Sequence, residues 1–296
     1  MLSILITGSN GFIGSHLVSK LLKTNYKISV LNRSPTTSFI FKKDKYFCDF
    51  CYDGSSDSIN IALQETQPDI VIHLASYFIP RHSPEDAKSL IISNVDFPCK
   101  LLESMSQMGI KKFINTGTYW QHYQNSHYDP VSLYAATKQA FEDILIYYVN
   151  SQKIDAITLK LFDTYGGGDT RRKVLNLLID AATTQEKLKL SPGEQKLNLV
   201  HVRDVVSAYE VALKILLNRS GYTHISYGIG HSEIYSLQEL AVAVEQVTGY
   251  AIQAEWGALP YRDREVMEPW SNYEKLPGWQ ASISLEEGLK MLVANL

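Results

Sequence analysis

In the first half of the chain, short apolar runs alternate with longer segments in which apolar residues recur every three or four positions. Residues 3–6 read as a buried strand, and residues 12–22 carry Ile13, Leu17 and Leu21 on one helical face. Residues 27–31 predict a second strand. A helix closes at 62–66, and 69–74 (Asp-Ile-Val-Ile-His-Leu) is a strand of almost pure β-formers. The pattern continues with a helix over 89–105, a strand over 112–116, a long helix over 132–149 and a strand over 156–161. Such alternation predicts βαβ units in a doubly wound, mostly parallel sheet with helices on both faces. Sheets of this kind bind ligands beyond the carboxyl ends of their strands.

The second half changes character. Gly166-Gly167-Gly168-Asp169 predicts a hinge, followed by the basic cluster Arg171-Arg172-Lys173 and a helix to about 183. Residues 197–202 and 204–217 predict one more strand and helix that return to the first sheet. Beyond 221 the elements are short and rich in turns. The expected division is therefore a parallel-sheet domain over 1–165, rejoined by 197–217, and a smaller C-terminal lobe built from 166–196 and 218–296.

Gly8-Ser9-Asn10-Gly11-Phe12-Ile13-Gly14 spells G-x-x-G-x-x-G between the first strand and the first helix. The glycines allow a pyrophosphate to approach the backbone, and the helix start offers free N–H groups and a positive dipole end. This placement predicts a Rossmann-type dinucleotide site with Gly8, Asn10, Gly11, Phe12, Ile13 and Gly14 in contact. A carboxylate at the end of the second strand would bond a ribose 2′-hydroxyl. Asn32 and Arg33 stand there instead. Arg33 suits a 2′-phosphate through a charge-assisted bidentate pair, so NADP(H) is expected, with NAD(H) as the alternative.

Tyr134-Ala135-Ala136-Thr137-Lys138 is Y-x-x-x-K on the long helix. Residues four apart share one helical face. An ammonium beside a phenol is expected to lower the phenol's pKa from about 10. Tyr134 can then give or take a proton at a carbonyl or carbinol oxygen. Thr118, at the end of the preceding strand, can bond the same oxygen.

Taken together, Thr7-Gly8-x-x-Gly11-x-x-Gly14, then Asp69-Ile-Val-Ile-His73-Leu74-Ala75-Ser76, Asn94-Val95 and Tyr134-x-x-x-Lys138 resemble the extended short-chain dehydrogenase/reductases that act on nucleotide sugars. The resemblance implies that Thr118, Tyr134 and Lys138 are catalytic. It places Leu74, Ala75 and Ser76 at the cofactor, gives Asn94 a supporting role toward the proton relay and the sheet, and sets Asp49 and Phe50 beside the adenine. The segment from Ser191 through Gln195 to Val206 resembles the family's stretch beside the nucleotide-sugar phosphates. Trp256 to Met267, with Arg262, is similar to a stretch of the CDP-abequose and CDP-paratose synthase group, which reduces the C4 ketone of a CDP-3,6-dideoxy-4-hexulose with NADPH. By that resemblance Thr118, Tyr119, Lys173, Gln195 and Arg262 meet the substrate, and a homodimer through paired helices is implied. Two departures stand out. Leu197-Asn198-Leu199 replaces a common Arg-Asp-Phe, and Asp163 replaces a common Asn before the Tyr-Gly turn.

The scaffold supports reduction, epimerisation and dehydration. Dehydratases place Asp-Glu after the catalytic Thr; Tyr119-Trp120 here cannot supply both an acid and a base. The catalytic residues alone leave reduction and 4-epimerisation with a retained NAD both open. A non-catalytic dinucleotide sensor would keep the glycine turn while losing Thr, Tyr or Lys, and all three are present.

Composition narrows the picture further. A net charge of -3 with interspersed signs and no basic run argues against nucleic acid as a partner. Three cysteines, of which Cys48 and Cys51 form one isolated C-x-x-C, predict free thiols in a reducing compartment and no metal site. No apolar run approaches the roughly 20 residues of a membrane span, and the apolar start at 2–6 is too short for a signal segment. A cytoplasmic location is expected.

Overall fold

The computed structural model describes residues 1–36, 41 and 44–294. The strands β1 (Leu2–Thr7), β2 (Tyr26–Asn32), β3 (Phe47–Cys51), β4 (Ile70–His73), β5 (Lys112–Thr118) and β6 (Asp155–Leu161) form the sheet that the apolar runs predict. With β11 (His224–Ile229) they run in the order β11-β6-β5-β4-β1-β2-β3, every neighbouring pair parallel. The expected α/β class, a doubly wound Rossmann-type sheet, is therefore present. The central strands are buried on both faces, which is why they read as continuous apolar runs rather than alternations.

Helices α1 (Phe12–Leu21) and α7 (Val202–Asn218) cover one face, through a core containing Leu17, Val18, Tyr209 and Leu213. Helices α2 (Ser56–Thr66), α4 (Phe97–Gln107) and α5 (Leu133–Asn150) cover the other, through Ile59, Leu101, Phe141 and Leu145. A third core joins α6 (Val174–Thr184), α8 (Leu237–Thr248) and α9 (Leu285–Val293) through Leu178, Leu240 and Leu289.

The structure departs from the sequence reading in three places. The helix expected over 89–105 begins earlier, as α3 (Pro84–Ile91) with Ser83 and Asp86 forming a capping box, and is interrupted by a wide i→i+5 turn at Ile92–Asp96 before α4. That wide turn carries the buried Asn94. The strand expected at 197–202 does not rejoin the large sheet; after the two-residue strands β8 (Leu188–Lys189) and β9 (Lys196–Leu197), β10 (Leu199–His201) pairs in parallel with β7 (Asp163–Tyr165) in a separate ribbon, while α7 does return to the sheet's face. Conversely β11, in a stretch read as lobe, completes the large sheet because its register against β6 buries Tyr227 and Ile229. The two thiols of the C-x-x-C lie on β3, free and exposed, and three residues apart on a strand they face opposite sides. No helix among the described residues is long and apolar enough to cross a membrane.

Candidate active site

The strand order reverses between β1 and β4, and a cavity of about 500 Å³ opens beyond their carboxyl ends. At one end is the glycine turn. Gly8 has φ +75°, and a Cβ there would lie 2.5 Å from the Ala75 backbone nitrogen; a Cβ on Gly14 would lie 2.2 Å from the Gly8 carbonyl oxygen. Only glycine lets β1, the turn and α1 approach so closely. Gly11 caps α1 without a side chain, so the first N–H groups of the helix are left for a ligand. Asn32 is buried and braces this turn, accepting from the Ser9 backbone nitrogen at 3.0 Å and donating to the Ser9 hydroxyl at 2.8 Å. Asn10 donates to the Ser34 carbonyl at 3.1 Å. Arg33 is exposed just past β2, and its guanidinium makes no hydrogen bond or ion pair with the described residues. Asp49 accepts from the Thr36 backbone at 2.8 Å with one oxygen, while its other oxygen is buried without a partner among the described residues.

At the other end Thr118 closes β5. Its hydroxyl oxygen accepts from the Trp120 backbone at 3.3 Å, which leaves the hydroxyl proton for the cavity. Tyr134 stands in the first turn of α5, capped by Ser132, with its ring edge-on to Phe78 at 4.9 Å. Lys138 follows one turn later. It is 1% exposed, lines the cavity and donates to no described residue. Burial pushes the Lys138 ammonium down to about 8, partly countered by Glu142. The same burial pushes the Tyr134 phenol up to about 12, against the lowering effect of the Ser76 hydroxyl and of Arg171. The expectation that Lys138 lowers the tyrosine is therefore corrected. Desolvation dominates at both groups and shifts each toward its neutral form, Lys138 staying protonated below about pH 8.

Of the residues predicted from sequence, Gly8, Asn10, Gly11, Phe12, Ile13, Gly14, Leu74, Ser76, Thr118, Tyr119, Tyr134, Lys138 and Lys173 line this one cavity. Ala75 stands behind Gly8. Phe50 packs half-buried on the second core. Asn94 lies beneath the floor, accepting from the Ser76 hydroxyl at 2.9 Å and the Tyr77 backbone at 2.8 Å, and donating to Thr137 at 3.0 Å. Gln195 does not line the cavity; it is buried and donates to Ser191 at 2.9 Å, closing its own loop. Arg262 is exposed, 3.8 Å from Glu265, yet near enough for its charge to act on Asp163.

Several further residues line the cavity, of which the sequence reading noted Asp163 only as a departure and Arg171 only as part of the basic cluster. Phe78, Trp120 and Phe162 form aromatic walls around Thr118 and Tyr134. Asp163 accepts from the Tyr119 phenol at 2.8 Å; burial raises its carboxyl, and Lys173, Tyr119, Arg262 and Arg171 pull it back. Arg171 is held in a fork by Asp169 and lies over the Phe12 ring at 5.2 Å, spanning from the basic cluster to the glycine turn. The signal for most of these was positional, because Trp120, Phe162 and Asp163 follow the carboxyl ends of sheet strands.

The family model described as the NAD dependent epimerase/dehydratase family matches residues 4–226. The chain belongs to that family. A protein named CDP-abequose synthase from Yersinia pseudotuberculosis is 30% identical to it over 276 residues, 92% of this chain and 93% of that one. Another, from Salmonella muenchen, is 28% identical over 98% of this chain and 97% of its own length. A UDP-glucuronate 4-epimerase of Thermodesulfobacterium geofontis is 27% identical over 98% of this chain and 94% of that one. Among solved structures, a UDP-glucuronic acid 4-epimerase from Bacillus cereus, in complex with UDP-glucuronic acid and NAD, superposes with a TM-score of 0.86 at 22% identity, covering 98% of this chain and 97% of that one. That likeness shows the shared fold.

Proposed function

We propose that this enzyme reduces the C4 ketone of a nucleotide-linked 6-deoxy-4-hexulose, of the CDP-3,6-dideoxyhexose type, with NADPH as reductant. One observation carries the reading. Thr118 and Tyr134 present two hydroxyl protons to one cavity, while Tyr119 and Trp120 stand where a dehydratase needs an acid and a base. The full-length likeness to CDP-abequose synthases supports the substrate class.

The residues present fit a dinucleotide. The uncapped start of α1 and the glycine turn would take its pyrophosphate. The unpartnered Lys138 ammonium would take ribose hydroxyls, the unpartnered Asp49 oxygen an adenine donor, and exposed Arg33 a 2′-phosphate. When bound, the dinucleotide supplies the hydride that reduces the ketone carbon. Negative charge then develops on the ketone oxygen. Thr118 donates a hydrogen bond to it, and Tyr134 gives up its phenolic proton to complete the alcohol. Burial raises the Tyr134 phenol, so the group enters this step as a proton donor. Lys173, Arg171 and Arg262 would meet the substrate diphosphate. On this reading the dinucleotide domain is 1–165 with 197–217, and the substrate lobe is 166–196 and 218–296 less the sheet strand β11.

NADPH oxidation, followed optically across nucleotide-linked 4-keto-6-deoxysugars, tests the proposal; turnover of the CDP-linked member is expected. The full-length likeness to a UDP-glucuronate 4-epimerase favours a second reading, 4-epimerisation with retained NAD. Interconversion of two sugars without net NADPH oxidation would establish it.

Two substitutions bear on the binding assignments. Arg33→Ala is expected to raise the KM for NADPH about 10- to 100-fold and leave NADH unchanged, since a hydrogen bond to a charged group is worth about 1.5–3 kcal/mol. Equal losses for both cofactors would exclude a 2′-phosphate contact. Arg262→Ala is expected to raise the KM for the nucleotide sugar only about 2- to 5-fold, because the guanidinium is 61% exposed. A selective loss of NADPH binding would reassign it.

A further inference from the structure

Beneath the cavity floor the chain buries charge that the proposed chemistry does not use. Glu142 on α5 and Lys160 on β6 are 3% and 5% exposed, with Nζ 3.2 Å from Oε2. Burial would raise the Glu142 carboxyl, but Lys160, Ser226, His224 and Gln121 together hold it below its ordinary value. Lys160 also reaches His122 Nε2 at 2.9 Å. An ammonium cannot accept, so Nε2 does, and Nδ1 carries the ring proton and donates it to the Ser126 carbonyl at 3.2 Å. The Trp270 ring lies flat on His122 at 3.8 Å and closes the cluster.

Gln121 connects this cluster to the active site. It is fully buried; its Nε2 donates to Glu142 Oε2 at 2.7 Å and to Gln139 Oε1 at 2.6 Å. A carboxylate only accepts, so the amide nitrogen must face Glu142. The amide oxygen is thereby turned toward Thr118, whose backbone N–H donates to it at 3.0 Å. The strand end rests directly on these groups. A Cβ on Gly117 would meet Lys160 Cγ at 2.9 Å and Gln121 Oε1 at 3.0 Å.

Stability gives little reason for this arrangement. Desolvating each ion costs several kcal/mol, and well-packed apolar residues often serve a fold as well or better. We infer that Gln121, Glu142 and Lys160 are positioning residues that hold Thr118 with its hydroxyl proton aimed at the reacting oxygen, acting through the Gln121 carboxamide. The inference rests on the proposed role of Thr118 as a donor.

The test is a double-mutant cycle on the intact enzyme, with kcat and both KM values measured by NADPH oxidation. Thr118→Val alone is expected to lower kcat about 10- to 100-fold. Gln121→Met is expected to lower kcat about 5- to 10-fold in the wild type with both KM values within about 2-fold, a misdirected donor costing less than a deleted one. In the Thr118→Val background the same change is expected to cost less than about 2-fold, because the hydroxyl it positions is gone. Should Gln121→Met fail to fold, Glu142→Gln combined with Lys160→Met removes both charges without stranding either, and the same cycle applies. Equal fold-losses in the two backgrounds would reduce the cluster to a structural role and overturn the inference, as would no loss in the wild type. A Thr118→Val enzyme with undiminished kcat would overturn the donor role itself, and the inference with it.

Discussion

Tyr134→Phe is expected to lower kcat by at least ~10²-fold while the fold and both binding steps survive. The substitution removes one oxygen. The ring keeps its edge contact with Phe78 and stays in the first turn of a helix whose Ser132 cap is untouched. Tyr134 is 9% exposed, and phenylalanine reproduces the ring contacts that bury it. What disappears is the proton that completes the alcohol, and general acid catalysis contributes about 10²–10⁴-fold. The remaining rate would rest on Thr118 and on water that reaches the cavity. A kcat loss with unchanged KM marks an interaction made only in the transition state. Near-normal turnover by the variant would show that another group is the acid and would remove the centre of the proposed mechanism.

Fold and site were legible to different depths. The parallel sheet was readable because its central strands are buried on both faces and write themselves as runs such as Asp-Ile-Val-Ile-His-Leu. The break at Ile92–Asp96 was not, because apolar spacing continues through it. The turn carries the inward Asn94, whose four hydrogen bonds reach Ser76, Tyr77 and Thr137, partners that the local pattern does not show. Strand β11 was missed for a related reason. His-Ile-Ser-Tyr-Gly-Ile is only half-buried at its start, and its register is set by β6 rather than by its own pattern.

Within the candidate site, the glycine turn and the Tyr134–Lys138 pair were legible because of where their short motifs fall, directly after β1 and on the helix that follows β5. Phe78 and Phe162 were not, since topology alone brings their distant segments to one cavity. Sequence also misjudged the balance of forces on Tyr134. It counted the neighbouring ammonium, but it could not count the burial that outweighs it. Asn32 was read as a cofactor residue for its place at the end of β2, and the structure adds that it braces the glycine turn through Ser9.

The same burial makes Lys138 costly, and Lys138→Met is expected to stabilise the ligand-free protein at pH 7 while abolishing turnover. The ammonium is 1% exposed, has no hydrogen-bond acceptor among the described residues, and titrates at about 8 instead of the ordinary 10.5. A depression of about 2.5 units, at 1.36 kcal/mol per unit, corresponds to about 3 kcal/mol of destabilisation while the group is charged. Below pH 8 both folded and unfolded chains carry the proton, and the folded chain bears the whole penalty. Between pH 8 and 10.5 the folded chain releases the proton and the unfolded chain keeps it, so wild-type stability gains with rising pH. Methionine fills a similar volume without charge and never bears the penalty. Its advantage should therefore be about 3 kcal/mol at pH 7, a rise in Tm of roughly 5–10 °C for a chain of this size, and should shrink as pH climbs from 8 to 10.5. Paired melts of the two proteins at pH 7 and pH 10.5 measure it, with the difference between them cancelling every other titrating group. NADPH should raise the wild-type Tm by more than the variant's, because the ammonium that would hold the ribose is gone. A variant no more stable than wild type at pH 7, or an advantage independent of pH, would mean that the ammonium already has its partner within the fold. In that case Lys138 would not be held in reserve for a ligand.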